Sequence, residues 1–287
     1  MRILLIKLVN ILSFFIFNGK KRTAFRLFMS RRLNYYRRNK KVPPIDYKNI
    51  PIYLICFNQV SYLRRLVEAL EKRGYGNINF IDNASSYPPL LEYLSKTKYK
   101  VYKMDKNYGY EVFWDCGLFD DIITSAYYVV SDPDVLPSDD CPDNFLEVFY
   151  KVLIRVPGIV KAGAALRIDN IPEINREYVF KSEADFWTMP IKNNLAQEYF
   201  TSPPPRTTTE KIELFWADID TTFAIYAPND KNYLRNWKNK YKAVRIAGKY
   251  AFHHLPWETT ETTEEQIYYQ KTSDGKSPSF ILNKNSR

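Results

Sequence analysis

The sequence has few of the residues from which disulfide frameworks and zinc sites are built. Its 287 residues include three cysteines and two histidines. Cys56, Cys116 and Cys141 are odd in number, show no Cys-x-x-Cys spacing and have no histidine near them in the sequence. These features argue against a disulfide scaffold and a structural zinc site, and they favour a reducing compartment.

Acidic residues are absent from the first 41 positions, which contain twelve Lys and Arg residues. The net charge of the whole chain is +10, so the charge of the remaining residues is −2. The basic character therefore belongs to an N-terminal arm, predicted as residues 1–45, and not to the body at residues 46–287.

The sequence also lacks an apolar run long enough for a comfortable transmembrane span. Residues 3–17 are apolar but interrupted by Lys7 and Asn10, and basic clusters follow them. As a helix, this segment has one polar arc and a wide apolar face. It predicts peripheral attachment of residues 1–41 to the anionic cytoplasmic face of the inner (plasma) membrane, or otherwise a cytoplasmic protein.

Two alternatives for the arm are a helix packed on the body and a nucleic-acid-binding segment. The strongly apolar first seventeen residues argue against nucleic acid. We therefore predict no nucleic-acid partner.

Strand-like and helix-like segments alternate along the first half of the body. This alternation predicts an α/β protein with a Rossmann-like, mostly parallel central sheet flanked by helices. We predict a single domain whose two halves are residues 46–135 and 136–287. The predicted strands are 51–57, 77–83, 100–105 and 127–135, and the helices between them are 60–72, 87–96 and 113–125.

Polar residues follow each predicted strand, at the edge of an α/β sheet where ligands bind. The last strand ends at Asp132 and Asp134, and the turn at Pro133 allows both carboxylates to approach one site. Mn²⁺ or Mg²⁺ would suit such oxygen ligands. Ordinary turns and helix caps are the alternative for these positions. The polar residues are Asn58, Asp82, Asn83, Lys106, Asn107, Asp132 and Asp134.

The order of these motifs resembles the nucleotide-sugar-binding half of family 2-type glycosyltransferases with the GT-A fold. The motifs are Ile-Asp-Asn-Ala-Ser at 81–85, Asn107-x-Gly109 and the strand closing on Asp-Pro-Asp, within residues 51–135. The resemblance implies metal and diphosphate binding by the Asp-Pro-Asp segment. It also implies that the donor nucleotide contacts Phe57, Asn58, Asp82, Asn83, Lys106, Asn107, Gly109, Asp132 and Pro133.

The second half of the body offers a candidate catalytic base. Asp218 and Asp220 precede a strand-like apolar stretch, and a carboxylate near an acceptor hydroxyl can take its proton. We favour Asp220, followed by Asp218 and Glu183; bonding to a loop amide is the alternative. Trp187 and Trp257 are candidate acceptor-binding residues, because aromatic rings can stack on sugars, although burial in the core is the alternative.

His254 is the candidate third metal ligand. It precedes Leu-Pro-Trp, and this segment resembles the metal-binding histidine segments near the C-terminus of several GT-A enzymes. Neutral imidazole is a competent ligand beside two carboxylates, and an ordinary interior histidine is the alternative. The likeness to family 2 favours inversion, whereas the histidine segment is also similar to that of retaining members.

The sequence thus predicts a metal-dependent glycosyltransferase that uses a nucleotide diphosphate donor and modifies a cell-surface glycan or a lipid-linked saccharide. One alternative is a nucleotidyltransferase, although residues 57–61 lack the glycines of a phosphate-binding loop. The other is a membrane-associated protein that binds nucleotide sugars without transferring them.

Overall fold

The computed structural model describes residues 42–156, 158–187, 212–229 and 243–273. The membrane-attachment prediction for residues 1–41 falls outside this part of the chain. Within the described ranges, no helix combines the length and the apolar character needed to cross a membrane.

Eight strands form one central sheet, and two short strands pair separately. The order in the large sheet is β3-β2-β1-β4-β8-β6-β9-β7. Six of these strands are parallel to one another, and β7 and β8 are antiparallel to them. The strands are β1 (Ile52–Cys56), β2 (Ile78–Asp82), β3 (Lys100–Lys103), β4 (Tyr128–Ser131), β5 (Val135–Pro137), β6 (Lys161–Ala164), β7 (Leu214–Trp216), β8 (Ala224–Tyr226), β9 (Ala243–Ile246) and β10 (Phe252–His254).

Helices connect the strands and flank the sheet. The predicted α/β architecture with a mostly parallel central sheet is therefore confirmed. The helices are α1 (Ser61–Lys72), α2 (Pro88–Lys96), α3 (Val112–Asp115), α4 (Asp120–Ser125), α5 (Phe145–Arg155), α6 (Glu173–Glu183), α7 (Leu255–Glu258) and α8 (Glu264–Thr272).

The core occupies both faces of the sheet. All five residues of β1 are buried, as expected for a strand covered on both sides. Ile52 and Leu54 belong to one apolar cluster, whereas Tyr53 and Ile55 belong to a second. This division follows the alternation of side chains along a strand.

Two details differ from the sequence prediction. The segment 113–125 forms two short helices instead of one, because Gly117 between them has a φ of +80°, which an α-helix does not allow. The central strand ends at Ser131, and the chain turns at Pro133 before it forms β5, which pairs with β10 outside the main sheet. This departure from the sheet creates the site described next.

Candidate functional site

A cavity of about 380 Å³ opens at the carboxyl edge of the sheet. Its walls are the loops after β1 to β4, the loop between β7 and β8, and parts of α6, α7 and α8. The predicted site residues that line it are Phe57, Asn83, Asn107, Gly109, Asp132, Pro133, Asp134, Glu183, Asp220, His254 and Trp257. Among the described residues, the predicted ones that do not line it are Asn58, Asp82, Lys106, Trp187 and Asp218.

Asp132 follows β4 directly and is fixed by the loop between β7 and β8. Its N–H donates to the Thr221 carbonyl at 2.8 Å, and the Thr221 hydroxyl donates to Asp132 Oδ2. Burial raises the pKa of Asp132 well above its ordinary value, and the nearby Asp134 carboxylate raises it further. A divalent cation at this position would favour the ionised form.

The small sheet brings Asp134 and His254 together. In the antiparallel pair of β5 and β10, Val135 lies opposite His254. The Leu255 N–H also donates to the Asp134 carbonyl at 2.9 Å. As a result, Asp134 Oδ2 and His254 Nε2 face each other at 3.8 Å, which is too long for a hydrogen bond.

Both members of this pair have a buried polar atom without a hydrogen-bond partner in the described part of the chain. These atoms are Asp134 Oδ1 and His254 Nδ1. These are the other carboxylate oxygen and the other ring nitrogen, not the two atoms that face each other, so they show that both groups are incompletely hydrogen-bonded but would not themselves hold an ion placed between Oδ2 and Nε2. Two atoms that are each about 2.1 Å from a shared ion can lie up to about 4.2 Å apart. The observed 3.8 Å therefore fits an ion between them.

The described residues contain no group of three or more His, Cys, Asp or Glu side chains suited to hold a metal ion. Asp134 and His254, with Asp132 nearby, thus provide an incomplete set of ligands. Ions such as Mg²⁺ are often bound by one or two carboxylates together with substrate phosphates. This set fits an ion completed by a phosphorylated ligand better than a permanent structural ion.

The two histidines have different surroundings. The His254 ring lies on the ring of Trp257, with centroids 4.3 Å apart, and both residues line the cavity. His253 Nδ1 instead lies 2.5 Å from Glu258 Oε1, and His253 does not line the cavity. Only His254 is therefore placed to bind a ligand there.

Asp220 reaches the same cavity from the loop between β7 and β8. Its Oδ1 accepts hydrogen bonds from the hydroxyl and N–H of Thr222, at 2.6 and 3.2 Å. The protein atoms packed around the Asp220 carboxylate tend to raise its pKa by excluding bulk water, although the residue is open to the cavity. The charge of Arg245, the Thr222 hydrogen bonds and the charge of Lys161 outweigh this effect and lower the pKa below its ordinary value. Asp220 is therefore a carboxylate at neutral pH.

The other two base candidates are less open to the cavity. Glu183 is only 4% exposed, and its Oε2 forms a buried ion pair with Arg245 Nη1 at 3.0 Å. Burial raises the pKa of Glu183 despite the attraction of Arg245. Asp218 does not line the cavity, and its carbonyl accepts from Arg245 Nε at 2.8 Å. Asp220 is exposed and is the best placed of the three.

Asn83 and Asn107 shape the wall beside the ends of β2 and β3. Asn83 Nδ2 donates to Asn107 Oδ1 at 2.8 Å and to the Gly109 carbonyl at 2.9 Å, while its Oδ1 accepts from the Tyr108 N–H at 2.9 Å. Gly109 has a φ of +80°, which favours glycine. These amide groups fix the shape of the loop that a ligand would meet.

Asn58 and Asp82 do not line the cavity, and their side chains hydrogen-bond to the loop between β2 and α2. Asn58 Oδ1 accepts from the N–H groups of Ser86 and Tyr87 at 2.7 and 2.9 Å, just before α2 begins. Asp82 Oδ1 accepts from the Ser85 N–H at 2.9 Å. Both side chains therefore stabilise a loop, which is the alternative role, in a turn or helix cap, that the sequence suggests for these positions.

Lys106 and Trp187 do not line the cavity. Lys106 is exposed, and its Nζ lies 4.9 Å from the centroid of the Tyr108 ring. Trp187 packs edge-to-face on Phe215, with centroids 5.0 Å apart. Their predicted contacts with donor and acceptor stay predictions.

Comparison with known proteins gives no assignment. No protein-family model matches the chain. No curated protein matches it either. The function is therefore argued from the geometry of the cavity.

The sequence patterns do not indicate several of the residues that line the cavity. Thr221 follows Asp220, so its place near the cavity could have been inferred from that motif. The sequence of α6 and of the residues that follow it does not indicate a ligand site. A polar helix has the same sequence pattern whether its buried face packs against a core or lines a cavity. The lining residues without such an indication include Gln59, Tyr110, Tyr178, Ser182, Phe186 and Tyr269.

Proposed function

We propose that the protein is a metal-dependent glycosyltransferase of the GT-A type, which moves a sugar from a nucleotide diphosphate donor to an acceptor hydroxyl. The observation that carries this proposal is the Asp134–His254 pair. A carboxylate oxygen and an imidazole nitrogen, Asp134 Oδ2 and His254 Nε2, face each other at 3.8 Å, a separation that fits a shared ion. The pair opens into a cavity that Asp220 also reaches.

The donor side of the cavity is suited to a diphosphate held through a metal ion. Asp132, Asp134 and His254 would hold Mn²⁺ or Mg²⁺, and the phosphates would complete its coordination. When bound, the ion would neutralise charge that develops on the departing diphosphate. The wall formed by Asn83, Asn107 and Gly109 would lie beside the nucleotide. The volume of about 380 Å³ is within the range of small-molecule sites.

Asp220 is the proposed general base. Its carboxylate accepts the proton of the acceptor hydroxyl while the hydroxyl oxygen bonds to the anomeric carbon. The bond between that carbon and the diphosphate oxygen breaks, and the diphosphate leaves with the electron pair. Attack opposite the leaving group inverts the anomeric centre, which is the outcome we favour. The Thr222 hydrogen bonds orient the Asp220 carboxylate for this step.

The acceptor side of the cavity carries aromatic residues. Tyr178 and Phe186 line it from the region of α6, and Trp257 lines it from α7. Aromatic side chains combine an apolar face with a polar edge, which suits the apolar faces and hydroxyls of sugar rings. We therefore propose a saccharide or lipid-linked saccharide as the acceptor.

The nucleotidyltransferase alternative is disfavoured by the start of α1. A phosphate-binding loop after the first strand would use the free N–H groups at a helix N-terminus. Here the Glu265 carboxylate accepts hydrogen bonds from the N–H groups of Val60 and Ser61 and from the Ser61 hydroxyl. An internal anion thus occupies the place that a phosphate would take.

We also propose that residues 1–41 attach the protein to an anionic membrane surface at the cytoplasmic face. The support is the apolar run at 3–17 and the twelve basic residues that accompany it. Flotation of the full chain with vesicles of phosphatidylglycerol and phosphatidylcholine tests this. Deletion of residues 1–41 should abolish flotation and retain donor binding; a truncated protein that still floats would contradict the assignment.

The catalytic proposal is tested with a panel of nucleotide sugars. Melting temperatures are measured with UDP-glucose, UDP-galactose, UDP-N-acetylglucosamine and GDP-mannose, in Mn²⁺ and in chelator. Release of nucleoside diphosphate is then measured with saccharide acceptors. We expect a donor that stabilises the protein only with metal and is consumed when acceptor is present. Binding without release would favour the non-catalytic alternative, and no binding would contradict both.

A further inference from the structure

Three successive backbone carbonyls in the loop between β7 and β8 accept hydrogen bonds from buried side chains. Arg245 Nε donates to the Asp218 carbonyl at 2.8 Å, and Lys161 Nζ donates to the carbonyl of residue 219. The Tyr226 hydroxyl donates to the Asp220 carbonyl at 3.1 Å. The third carbonyl therefore belongs to the proposed base itself.

The three donors come from neighbouring strands of the sheet. Lys161 is on β6, Tyr226 on β8 and Arg245 on β9, and their exposed fractions are 4%, 2% and 3%. Lys161 and Tyr226 are also direct partners across the β6–β8 pair. Burial of two cations is costly unless each finds hydrogen-bond acceptors. Here acceptors for both are carbonyls of the same short loop.

The loop is also held from its other side. The residue after Asp220 is Thr221, whose carbonyl and hydroxyl bind Asp132. The three buried donors and Asp132 therefore fix the path of the backbone on both sides of Asp220. This arrangement sets the position of the Asp220 carboxylate relative to the Asp132–Asp134 segment.

We propose that Tyr226, Lys161 and Arg245 are positioning residues that hold Asp220 in place for proton transfer. The proposal rests on the glycosyl-transfer function proposed above and extends it to residues that do not themselves line the cavity. Among the three, Tyr226 is the one whose side chain hydrogen-bonds to Asp220 itself, through the Asp220 backbone carbonyl. A misplacement of about 1 Å at a reacting group can cost about 100-fold in rate.

The chain offers a matched control for Tyr226. Tyr128 lies beside it on β4, and the two rings stack with centroids 5.1 Å apart and an angle of 1° between their planes. Tyr128 is 0% exposed, and its hydroxyl accepts from Trp114 Nε1 at 3.3 Å. Replacement of either tyrosine by phenylalanine removes one buried hydroxyl from the same stack, but only Tyr226→Phe removes a bond to the loop.

The experiment compares the full chain with Tyr226→Phe and Tyr128→Phe, using whichever of the four nucleotide sugars named above shows the largest metal-dependent stabilisation. We expect Tyr226→Phe to lower kcat about 10- to 100-fold relative to Tyr128→Phe, with the donor KM and the melting temperature similar in both variants. If Tyr226→Phe does not fold, Lys161→Met is compared with Tyr128→Phe, and kcat is measured across pH because the charge of Lys161 also lowers the pKa of Asp220. A loss of kcat at every pH supports positioning, whereas a loss that disappears at high pH overturns it.

With the tyrosine variants, two results would overturn the inference: equal kcat values, or a loss confined to the donor KM. If neither the unmodified chain nor the variants consume any nucleotide sugar, the proposed function itself fails. The failure of the positioning proposal is thereby distinguished from failure of the proposed reaction.

Discussion

Glu265 belongs to α8, but its carboxylate accepts hydrogen bonds from donors at the start of α1. We therefore predict that removal of this carboxylate destabilises the fold. Its carboxylate accepts from the N–H groups of Val60 and Ser61 and from the Ser61 hydroxyl. The first N–H groups of a helix have no partners within the helix itself. Glu265 is 7% exposed, so water has poor access to the groups that its truncation would leave unpaired.

The size of the effect follows from these contacts. Hydrogen bonds to a charged group contribute about 1.5–3 kcal/mol, and a carboxylate at a helix N-terminus adds about 0.3–1 kcal/mol. We therefore expect Glu265→Ala to lower the free energy of unfolding by about 2–4 kcal/mol. At about 2–4 °C per kcal/mol for a protein of this size, the melting temperature should fall by about 4–16 °C.

Urea denaturation followed by circular dichroism measures this change. The control is Glu264→Ala, which removes the neighbouring, exposed carboxylate from the same first turn of α8. The control should stay within about 0.5 kcal/mol of the unmodified protein. If the two variants are equally stable, Glu265 does not hold the start of α1, and the argument against a phosphate at that position loses its basis.

Three further predictions concern the base, the sheet and the thiols. Asp220→Asn should lower kcat by about 10²–10⁴-fold with donor affinity retained, because a general base acts on the acceptor in the transition state; near-normal turnover would refute its assignment as the base. Gly163→Ala should destabilise the protein by about 1–3 kcal/mol in urea denaturation, because a Cβ would lie 2.5 Å from a backbone carbonyl oxygen, whereas Gly76→Ala, with nothing within 4 Å, should not. Iodoacetamide at mildly alkaline pH should label the partly exposed Cys116 before Cys141, because burial raises the pKa of Cys141 to about 12; mass spectrometry showing the reverse order would contradict the described burial.

The alternation of strand and helix patterns was sufficient to predict the architecture. Apolar runs such as 51–57 specify strands buried on both faces, and this is where β1 lies. The same reasoning placed Asp132 and Asn83 at one edge of the sheet, and both line the cavity. Local pattern and topology rules together are enough for these residues, because each directly follows a strand.

The pattern of strands and helices alone does not reveal contacts between distant segments, and His254 is placed beside the two carboxylates only by its resemblance to metal-binding histidine segments. Asp134 and His254 are 120 positions apart, and they meet because β5 pairs with β10, two three-residue strands with little periodic signal. The side chain of Asn58 illustrates the same point. Its position after β1 does not reveal that its Oδ1 accepts hydrogen bonds from the N–H groups that precede α2, and its predicted contact with the donor stays a prediction. Which neighbour a polar side chain finds is decided by tertiary packing.

The central claim is that Asp134 holds a divalent cation together with a nucleotide diphosphate. Isothermal titration with the best-binding nucleotide sugar, in Mn²⁺ and in chelator, tests it on the unmodified protein, on Asp134→Asn and on a control. The control is Asp139→Asn, which removes an exposed carboxylate outside the cavity. We predict metal-dependent binding in the unmodified protein and the control, and its loss in Asp134→Asn, because an amide cannot replace the anionic ligand. Equal donor affinity in all three proteins, with or without metal, would contradict the account.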